Sequence, residues 1–222
     1  MLKITDKIAV RTFKEDNVEV ISDMPIEDLN YIVDAVKNDA LDYLPKLGSG
    51  SYGDVYEYKG YAIKTLFRED DEFKDDGRNN DVQALKDLSH LDCVPKIYAV
   101  INNKTMIVER IQGLRIKDVC EYGKAMDGVC LDRQFKRRFD DSLTNIILGG
   151  YSPEDVHEGN VMIEAGTNLP KIIDTGWFKR HHENCEEATV EELKCNVEGY
   201  SKAQRWAGYA IDRYLDRFVQ IV

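Results

Sequence analysis

The chain has 222 residues, 43% of them hydrophobic, which is enough apolar material for one large domain or two small lobes and argues against wholesale disorder. A formal net charge of −11 disfavours non-specific binding to nucleic acid and to anionic membranes. The five cysteines are odd in number and form no C-x-x-C pair, so they indicate reduced thiols in a cytoplasmic compartment rather than a zinc ribbon or a disulfide framework.

The first six residues contain no apolar run of the length that a signal peptide or a membrane span requires. We therefore expect a cytoplasmic protein. A bacterial protein that a dedicated machine delivers into a host cell by a non-classical route would have the same kind of N-terminus.

The N-terminal segment predicts an extension that precedes the first strong motif. Residues 1–21 alternate apolar and charged side chains, which indicates one or two short strands. Ser22 or Asp23 can cap a helix, Pro25 suits its first turn, and apolar residues then recur at helical spacing. We expect residues 1–44 to contain an accessory helix that packs on the lobe that follows.

A glycine-rich stretch with the spacing G-x-G-x-x-G-x-V follows this helix. Because glycine has no Cβ, backbone amides in such a stretch can closely approach a bulky anion. The third glycine, Gly53, leads into a β-rich segment and not into a helix, which excludes a dinucleotide-binding fold. After a Lys59-Gly60 turn, the next predicted strand carries Lys64, so the pattern predicts a flexible loop over phosphates with a cation beneath it.

A helix and a strand pair come next. Residues 81–90 have apolar side chains on one helical face, with acidic Asp81 at the start. Residues 94–101 and 105–108 read as two strands joined by an Asn102-Asn103 turn. The second strand opens into a glycine-bearing linker.

A second group of motifs lies in the C-terminal half. Asp155 and Asn160 form D-x-x-x-x-N before an apolar strand, and a second apolar strand ends at Asp174 in a D-x-G sequence. Asp155 can accept the proton of a substrate hydroxyl, while Asn160 and Asp174 offer hard oxygen ligands to Mg²⁺. Two such ligands at the ends of adjacent strands can converge on one ion.

In this order and at these separations, the segments resemble the protein-kinase-like superfamily over about residues 45 to 180. The resemblance implies an α+β bilobal fold, with a small antiparallel-sheet N-lobe at 45–108 that includes the 81–90 helix. A hinge and a reduced, mainly helical C-lobe would occupy 109–222. It also implies ATP and Mg²⁺ as cofactors and a monomer that acts on a protein, without nucleic acid or membrane as partner.

The resemblance assigns a role to each motif. Lys64, Asp155 and His157 would be catalytic, and Asn160 and Asp174 would bind the metal. In a kinase the 81–90 helix carries a carboxylate that pairs with the strand lysine, and either Asp81 or Gln83 can take this place. Nucleotide contacts would come from Gly48, Ser49, Gly50, Ser51, Tyr52, Gly53, Val55, Ala62, Lys64, Asp81, Val108, Glu109 and Ile111.

Departures from the eukaryotic pattern define the competing hypotheses. Pro153 and Glu154 precede Asp155 where eukaryotic kinases have His-Arg, so control by a phosphorylated activation loop loses its usual arginine. The short stretch after Gly176 contains no A-P-E segment, which does not fit a full peptide-docking lobe.

The leading hypothesis is a minimal, atypical serine/threonine protein kinase, similar to short phage-encoded and bacterial effector kinases whose targets are host proteins. The D-x-H-x-G-N form is also similar to aminoglycoside- and choline-type phosphotransferases. A pseudokinase that only binds is a third hypothesis.

Overall fold

A computed structural model describes residues 17–67, 72–73, 79–181 and 188–218. The described residues divide into two units, one running up to Phe73 together with Lys96–Arg110, the other containing residues 79–95 and the chain from Ile111 onward. The chain passes from the first unit to the second at Arg110 and Ile111, inside the segment predicted as a hinge. The helix expected in the N-lobe belongs instead to the second unit.

The first unit is built on a six-stranded antiparallel sheet with the strand order β1-β5-β6-β4-β3-β2. Its strands are β1 (Val18–Val20), β2 (Lys46–Ser49), β3 (Gly53–Tyr58), β4 (Tyr61–Leu66), β5 (Ile97–Ile101) and β6 (Thr105–Glu109). Asn102 and Asn103, which join β5 to β6, both have positive φ angles, the backbone conformation that a tight two-residue hairpin requires. The N-terminal segment adds β1 to the sheet beside β5.

Helix α1 (Ile26–Lys37) covers one face of this sheet. Its N-cap is Pro25, without a side-chain hydrogen bond, so the expected caps Ser22 and Asp23 are not used. Apolar side chains of the helix, of the short 3₁₀ helix Leu41–Tyr43 and of alternate strand positions form one buried core: Leu29, Ile32, Val33, Ala35, Leu41, Tyr56, Ile63, Ala99, Ile101 and Ile107. Burial of this apolar surface stabilises the helix on the sheet.

The third glycine of the glycine-rich stretch is required by the sheet. A Cβ at Gly53 would lie 2.1 Å from the carbonyl oxygen of Thr65 on β4, whereas a Cβ at Gly48 would meet no atom within 4 Å. Because the overlap is with backbone, we expect Gly53→Ala to lower the free energy of unfolding by about 3 kcal/mol. Urea denaturation measures this loss, with Gly48→Ala as the matched control at less than about 0.5 kcal/mol. Equal stability of the two variants would contradict the prediction.

The second unit is mainly helical. Its helices are α2 (Asp81–Asp87), α3 (Ile116–Cys120), α4 (Arg133–Leu148), α5 (Val190–Asn196), α6 (Glu198–Ala203) and α7 (Tyr209–Phe218), with a π-helical turn, Gln204–Gly208, between α6 and α7. Five short strands form two small sheets, β10-β9-β7 and β11-β8: β7 (Gly113–Arg115), β8 (Tyr151–Ser152), β9 (Val161–Glu164), β10 (Pro170–Ile172) and β11 (Lys179–Arg180). A sheet-based unit and a mainly helical unit confirm the predicted α+β class.

Helix α4 begins with a side-chain cap. Asp132 is the N-cap, and its carboxylate accepts a hydrogen bond from the N–H of Phe135 at 2.7 Å. Apolar residues at helical spacing line its buried face: Phe135, Phe139, Leu143, Ile146 and Ile147. In the described parts of the chain, every helix is too short or too polar to cross a membrane.

The carboxylate of Asp118 in α3 lies between two cations. It accepts hydrogen bonds from Nε of Arg115 at 2.8 Å and from Nζ of Lys124 at 2.7 Å. The Arg115 hydrogen bond, supported by that of Lys124, lowers the pKa of Asp118 to about 2, although burial acts in the opposite direction.

This depressed pKa makes stability depend on pH in a defined direction. Ionised Asp118 stabilises the fold above its ordinary pKa of 3.8, and this contribution is lost as the pH falls towards about 2. We expect Asp118→Asn to cost about 1 to 2 kcal/mol near neutral pH and progressively less below about pH 4. Urea denaturation at several pH values measures the difference. A cost that stays constant between neutral pH and about pH 3 would contradict this assignment.

Candidate active site

Four of the predicted nucleotide contacts lie on one face of the first unit's sheet. In the strand register, Val55 is opposite Lys64 and Ala62 is opposite Val108. Because side chains alternate between faces along a strand, all four lie on the face opposite to the residues that pack with α1. This face therefore combines the apolar side chains of Val55, Ala62 and Val108 with the ammonium group of Lys64.

Polar contacts fix the base of the glycine-rich hairpin. The N–H of Gly50 donates to the carbonyl of Gly53 at 2.9 Å. The hydroxyl of Ser49 donates to the carboxylate of Asp54 at 2.6 Å, and Nζ of Lys46 lies 2.7 Å from the same carboxylate. The Lys46 hydrogen bond, followed by that of Ser49, lowers the pKa of Asp54. Asp54 therefore holds the hairpin together, a role that the motif did not predict.

The tip of the hairpin leaves space above its backbone. A Cβ at Gly48 would have open space around it, and one at Gly50 would meet only the carbonyl of Gly53 at 3.8 Å. Ser51 is exposed and Tyr52 is partly buried. This geometry leaves room for an anion to approach Gly48 and Gly50. Gly53 instead allows the close packing of β3 against the backbone of β4.

The end of β6 restricts how the predicted hinge can recognise a base. The N–H of Glu109 donates to the carbonyl of Lys96 at 2.8 Å, and the N–H of Arg110 donates to the carbonyl of Gly60 at 3.1 Å. The sheet thus already uses both N–H groups. Recognition of an adenine edge would involve carbonyl groups here or the next residue, Ile111, which is buried.

In the second unit, the loop from Asp155 to Asn160 is closed by its own hydrogen bonds. The N–H of Asn160 donates to the carbonyl of His157 at 2.9 Å, and its side-chain amide donates to the carbonyl of Asp155 at 3.1 Å. Asp155 has a φ of +58°, a left-handed conformation that aspartate tolerates better than most residues.

His157 is held in a defined orientation within this loop. The N–H of Gly159 donates to Nδ1 of His157 at 3.0 Å, so the neutral imidazole carries its proton on Nε2. A Cβ at Gly159 would lie 2.8 Å from Cε1 of the imidazole. Glycine at this position therefore makes room for the ring, which presents an N–H donor on its other nitrogen.

The predicted metal ligands lie at one end of the β9–β10 hairpin. The two strands are antiparallel neighbours, and the N–H of Ile173 donates to the carbonyl of Asn160 at 2.9 Å. Asn160 directly precedes β9 and Asp174 follows β10, so the hairpin brings them together. The side-chain amide nitrogen of Asn160 donates to the carbonyl of Asp155, so its oxygen is the atom that could serve as a metal ligand.

These residues fit Mg²⁺ better than a transition metal. Within the described ranges, His, Cys, Asp and Glu form no group of three or more that could hold a metal ion. A structural zinc site needs four nitrogen or sulfur ligands, whereas Mg²⁺ keeps several waters and shares its coordination with substrate phosphates. One carboxylate and one amide oxygen therefore suit Mg²⁺ that binds with a nucleotide.

The electrostatic surroundings of Asp155 favour proton uptake. Burial raises the pKa of its carboxyl group above the ordinary value, and the negative charges of Asp174 and Glu154 act in the same direction. The nearby His157 opposes this shift. A carboxylate with a raised pKa is a stronger proton acceptor, as a general base must be.

Of the two candidates on α2, Asp81 is the one that lies near the metal ligands. Asp81 is only 1% exposed, and a Cβ at Gly176 would lie 2.8 Å from its Oδ2 and 3.4 Å from Oδ1 of Asp174. Gln83 instead donates a hydrogen bond to Asp87 at 2.8 Å, within the same helix. This geometry favours Asp81 as the carboxylate that accompanies the D-x-G segment.

Asn80, just before α2, is bonded to the segment that follows Asp174, a contact that the sequence did not predict. Its N–H donates to the carbonyl of Gly176 at 3.0 Å, and its side-chain amide donates to the carbonyl of Phe178 at 2.8 Å. At the far end of α2, Asp87 accepts a hydrogen bond from the hydroxyl of Tyr151 at 2.6 Å and pairs with Arg180 at 2.5 Å. Both ends of α2 are thus attached to elements around the D-x-G segment.

The α+β fold class agrees with the protein-kinase-like superfamily, and a family match confirms the resemblance found in the sequence. The family model of the ABC1 atypical kinase-like domain matches residues 5–203, and the chain belongs to this family. The match includes the N-terminal segment with α1, which the sequence analysis treated as an extension. A search of curated proteins found no match.

Proposed function

We propose that this protein is an ATP- and Mg²⁺-dependent phosphotransferase that phosphorylates serine or threonine hydroxyls of a protein. The observation that carries the proposal is the group at one end of the β9–β10 hairpin: a carboxyl with a raised pKa, Asp155, beside two hard oxygen ligands, Asn160 and Asp174. Membership of a kinase-like family supports the reaction class.

In the proposed reaction, the substrate hydroxyl oxygen forms a bond to the γ-phosphorus while the bond to the β–γ bridging oxygen breaks and ADP leaves. Asp155 accepts the hydroxyl proton. The Nε2–H of His157 donates a hydrogen bond to the phosphoryl group in transfer. Asn160 and Asp174 would hold Mg²⁺, which neutralises phosphate charge when it is bound.

The first unit supplies the nucleotide contacts in this proposal. Backbone amides at Gly48 and Gly50 and the ammonium group of Lys64 bind phosphate oxygens. In this proposal Val55, Ala62 and Val108 contact the base, and the strand register supports it because these residues lie on the same sheet face as Lys64.

A protein substrate is favoured because the glycine-rich motif is complete through Val55, whereas small-molecule phosphotransferases usually carry it in a degraded form. By analogy with phage and effector kinases, we propose a host protein as the target and a monomer as the acting species.

A small-molecule kinase is the second candidate. The observation that favours it is the hydrogen bond from the N–H of Gly159 to His157 in a D-x-H-x-G-N loop. This sequence form is similar to that of aminoglycoside-type enzymes. Its substrate would be a hydroxylated, cationic compound.

The deciding experiment incubates the purified protein with radiolabelled ATP and Mg²⁺, alone, with host-cell lysates and with a panel of aminoglycosides. We expect labelled protein bands with the wild type and none with Asp174→Ala. ATP turnover only with the small compounds would replace the first candidate by the second. Nucleotide binding without any transfer would contradict both and indicate a pseudokinase.

A further inference from the structure

The residue before Asp155 is a buried acid whose two oxygens are both bound. Glu154 is 9% exposed. Its Oε1 accepts a hydrogen bond from the hydroxyl of Ser152 at 3.1 Å, and its Oε2 accepts one from Nζ of Lys202 on α6 at 2.9 Å. The position that is arginine in eukaryotic kinases thus carries the opposite charge here, and its partner is a cation in the C-terminal part of the chain.

Helix α6 also contacts the same loop through its backbone. The N–H of Gly199 donates to the hydroxyl oxygen of Ser152 at 3.1 Å. A Cβ at Gly199 would lie 2.5 Å from that hydroxyl oxygen and 2.9 Å from both the N and the C atoms of Pro153. The helix therefore lies directly against Ser152 and Pro153, and a shift of α6 would displace the residues that lead into Asp155.

Of the two ion pairs that Lys202 forms, the one with Glu154 contributes more to stability. Lys202 also pairs with Glu198 at 2.9 Å, but the side chain of Glu198 is 71% exposed, and exposed ion pairs contribute little. The side chain of Glu154 is 11% exposed. Removal of Lys202 would leave a buried carboxylate whose remaining hydrogen-bond donor, among the residues that the structure describes, is the Ser152 hydroxyl, and an unpaired buried charge is costly.

We propose that Lys202 is a positioning residue, which holds Glu154 and thereby fixes the backbone of Asp155 without any phosphorylation of the protein. This inference rests on the proposed function, in which Asp155 is the general base. In eukaryotic kinases, a phosphate on the activation loop pairs with the arginine at this position. Here the ammonium group of Lys202 pairs with Glu154 instead, and no phosphate is needed for this contact.

The test compares three variants of the full chain. We expect Lys202→Met to lower kcat about tenfold with the KM for ATP within about twofold, because Asp155 is displaced while nucleotide contacts remain. Lys202→Arg keeps the cation and is expected to retain kcat within about threefold. Glu198→Gln removes only the exposed partner of Lys202 and is the matched control, with wild-type kinetics.

Hydrogen exchange of amides in residues 151–160 provides a second measurement that needs no activity. Faster exchange in Lys202→Met than in Lys202→Arg or Glu198→Gln supports the proposal. If the wild type transfers no phosphate, the proposed function fails, and this exchange comparison alone decides the role of Lys202. If Lys202→Met does not fold, Glu154→Gln replaces it, with the same expected direction.

Two results would overturn the proposal. One is a wild-type kcat together with unchanged exchange in Lys202→Met. The other is a loss of kcat in Lys202→Met that is not specific. Such a loss is shared by Lys202→Arg or Glu198→Gln, or it comes with a KM for ATP raised more than about tenfold, and it indicates general damage to the fold.

Discussion

Asp155→Asn is expected to lower kcat for phosphoryl transfer about 10³-fold, because asparagine keeps the shape of the side chain but cannot accept the hydroxyl proton. ATP affinity is expected to stay within about threefold, since Asp155 is assigned neither to the metal nor to the nucleotide. Steady-state kinetics and a nucleotide titration of the same preparation measure the two quantities separately.

The control for Asp155→Asn is Glu158→Gln, the same change of carboxylate to amide within the same loop. Glu158 contributes a backbone carbonyl to the N–H of Lys117 at 2.9 Å, and this bond survives the substitution. We expect kinetics close to wild type. Comparable losses in both variants, or a normal rate in Asp155→Asn, would refute the assignment of Asp155 as the base.

Asp174→Asn is expected to reduce phosphoryl transfer at least about 10³-fold, through the loss of the only charged ligand that the proposal assigns to Mg²⁺. The loss should be partly relieved at raised Mg²⁺ concentration, because the amide oxygen still coordinates weakly. Initial rates across a Mg²⁺ titration measure both effects.

A matched control for Asp174→Asn lies on the same hairpin. Glu164 is the last residue of β9, away from the Asn160 end, and its carboxylate lies 3.6 Å from Nζ of Lys171. Glu164→Gln should leave the Mg²⁺ dependence unchanged. An Asp174→Asn enzyme with a wild-type rate at low Mg²⁺ would show that the cation is held elsewhere.

Local sequence patterns were sufficient for elements whose signals lie in consecutive residues. The Lys59-Gly60 and Asn102-Asn103 turns have the positive φ angles that their composition predicts. The β9–β10 hairpin joins the D-x-x-x-x-N and D-x-G motifs as their spacing requires. In these cases turn chemistry and strand periodicity specify the same structure.

Long-range contacts explain what the sequence could not reveal. Nothing in the spacing around Glu154 indicates a partner on α6, and nothing around Asn80 indicates a bond to Phe178. The apolar spacing from residue 200 onward is that of a single helix, yet a π-helical turn occupies Gln204–Gly208. Gln204 there donates to Asp140 on α4 at 2.7 Å, a tertiary contact that periodicity does not encode.

The proposed function, in which Lys64 and Asp174 each contribute to the binding of ATP and Mg²⁺, is tested most directly by calorimetric ATP binding with and without Mg²⁺. The account predicts that Mg²⁺ tightens binding to the wild type and to Lys59→Met. Lys64→Met should weaken binding at least about tenfold under both conditions, and Asp174→Asn should abolish only the gain from Mg²⁺. ATP affinity that is unaffected by either substitution, with or without the metal, would contradict it.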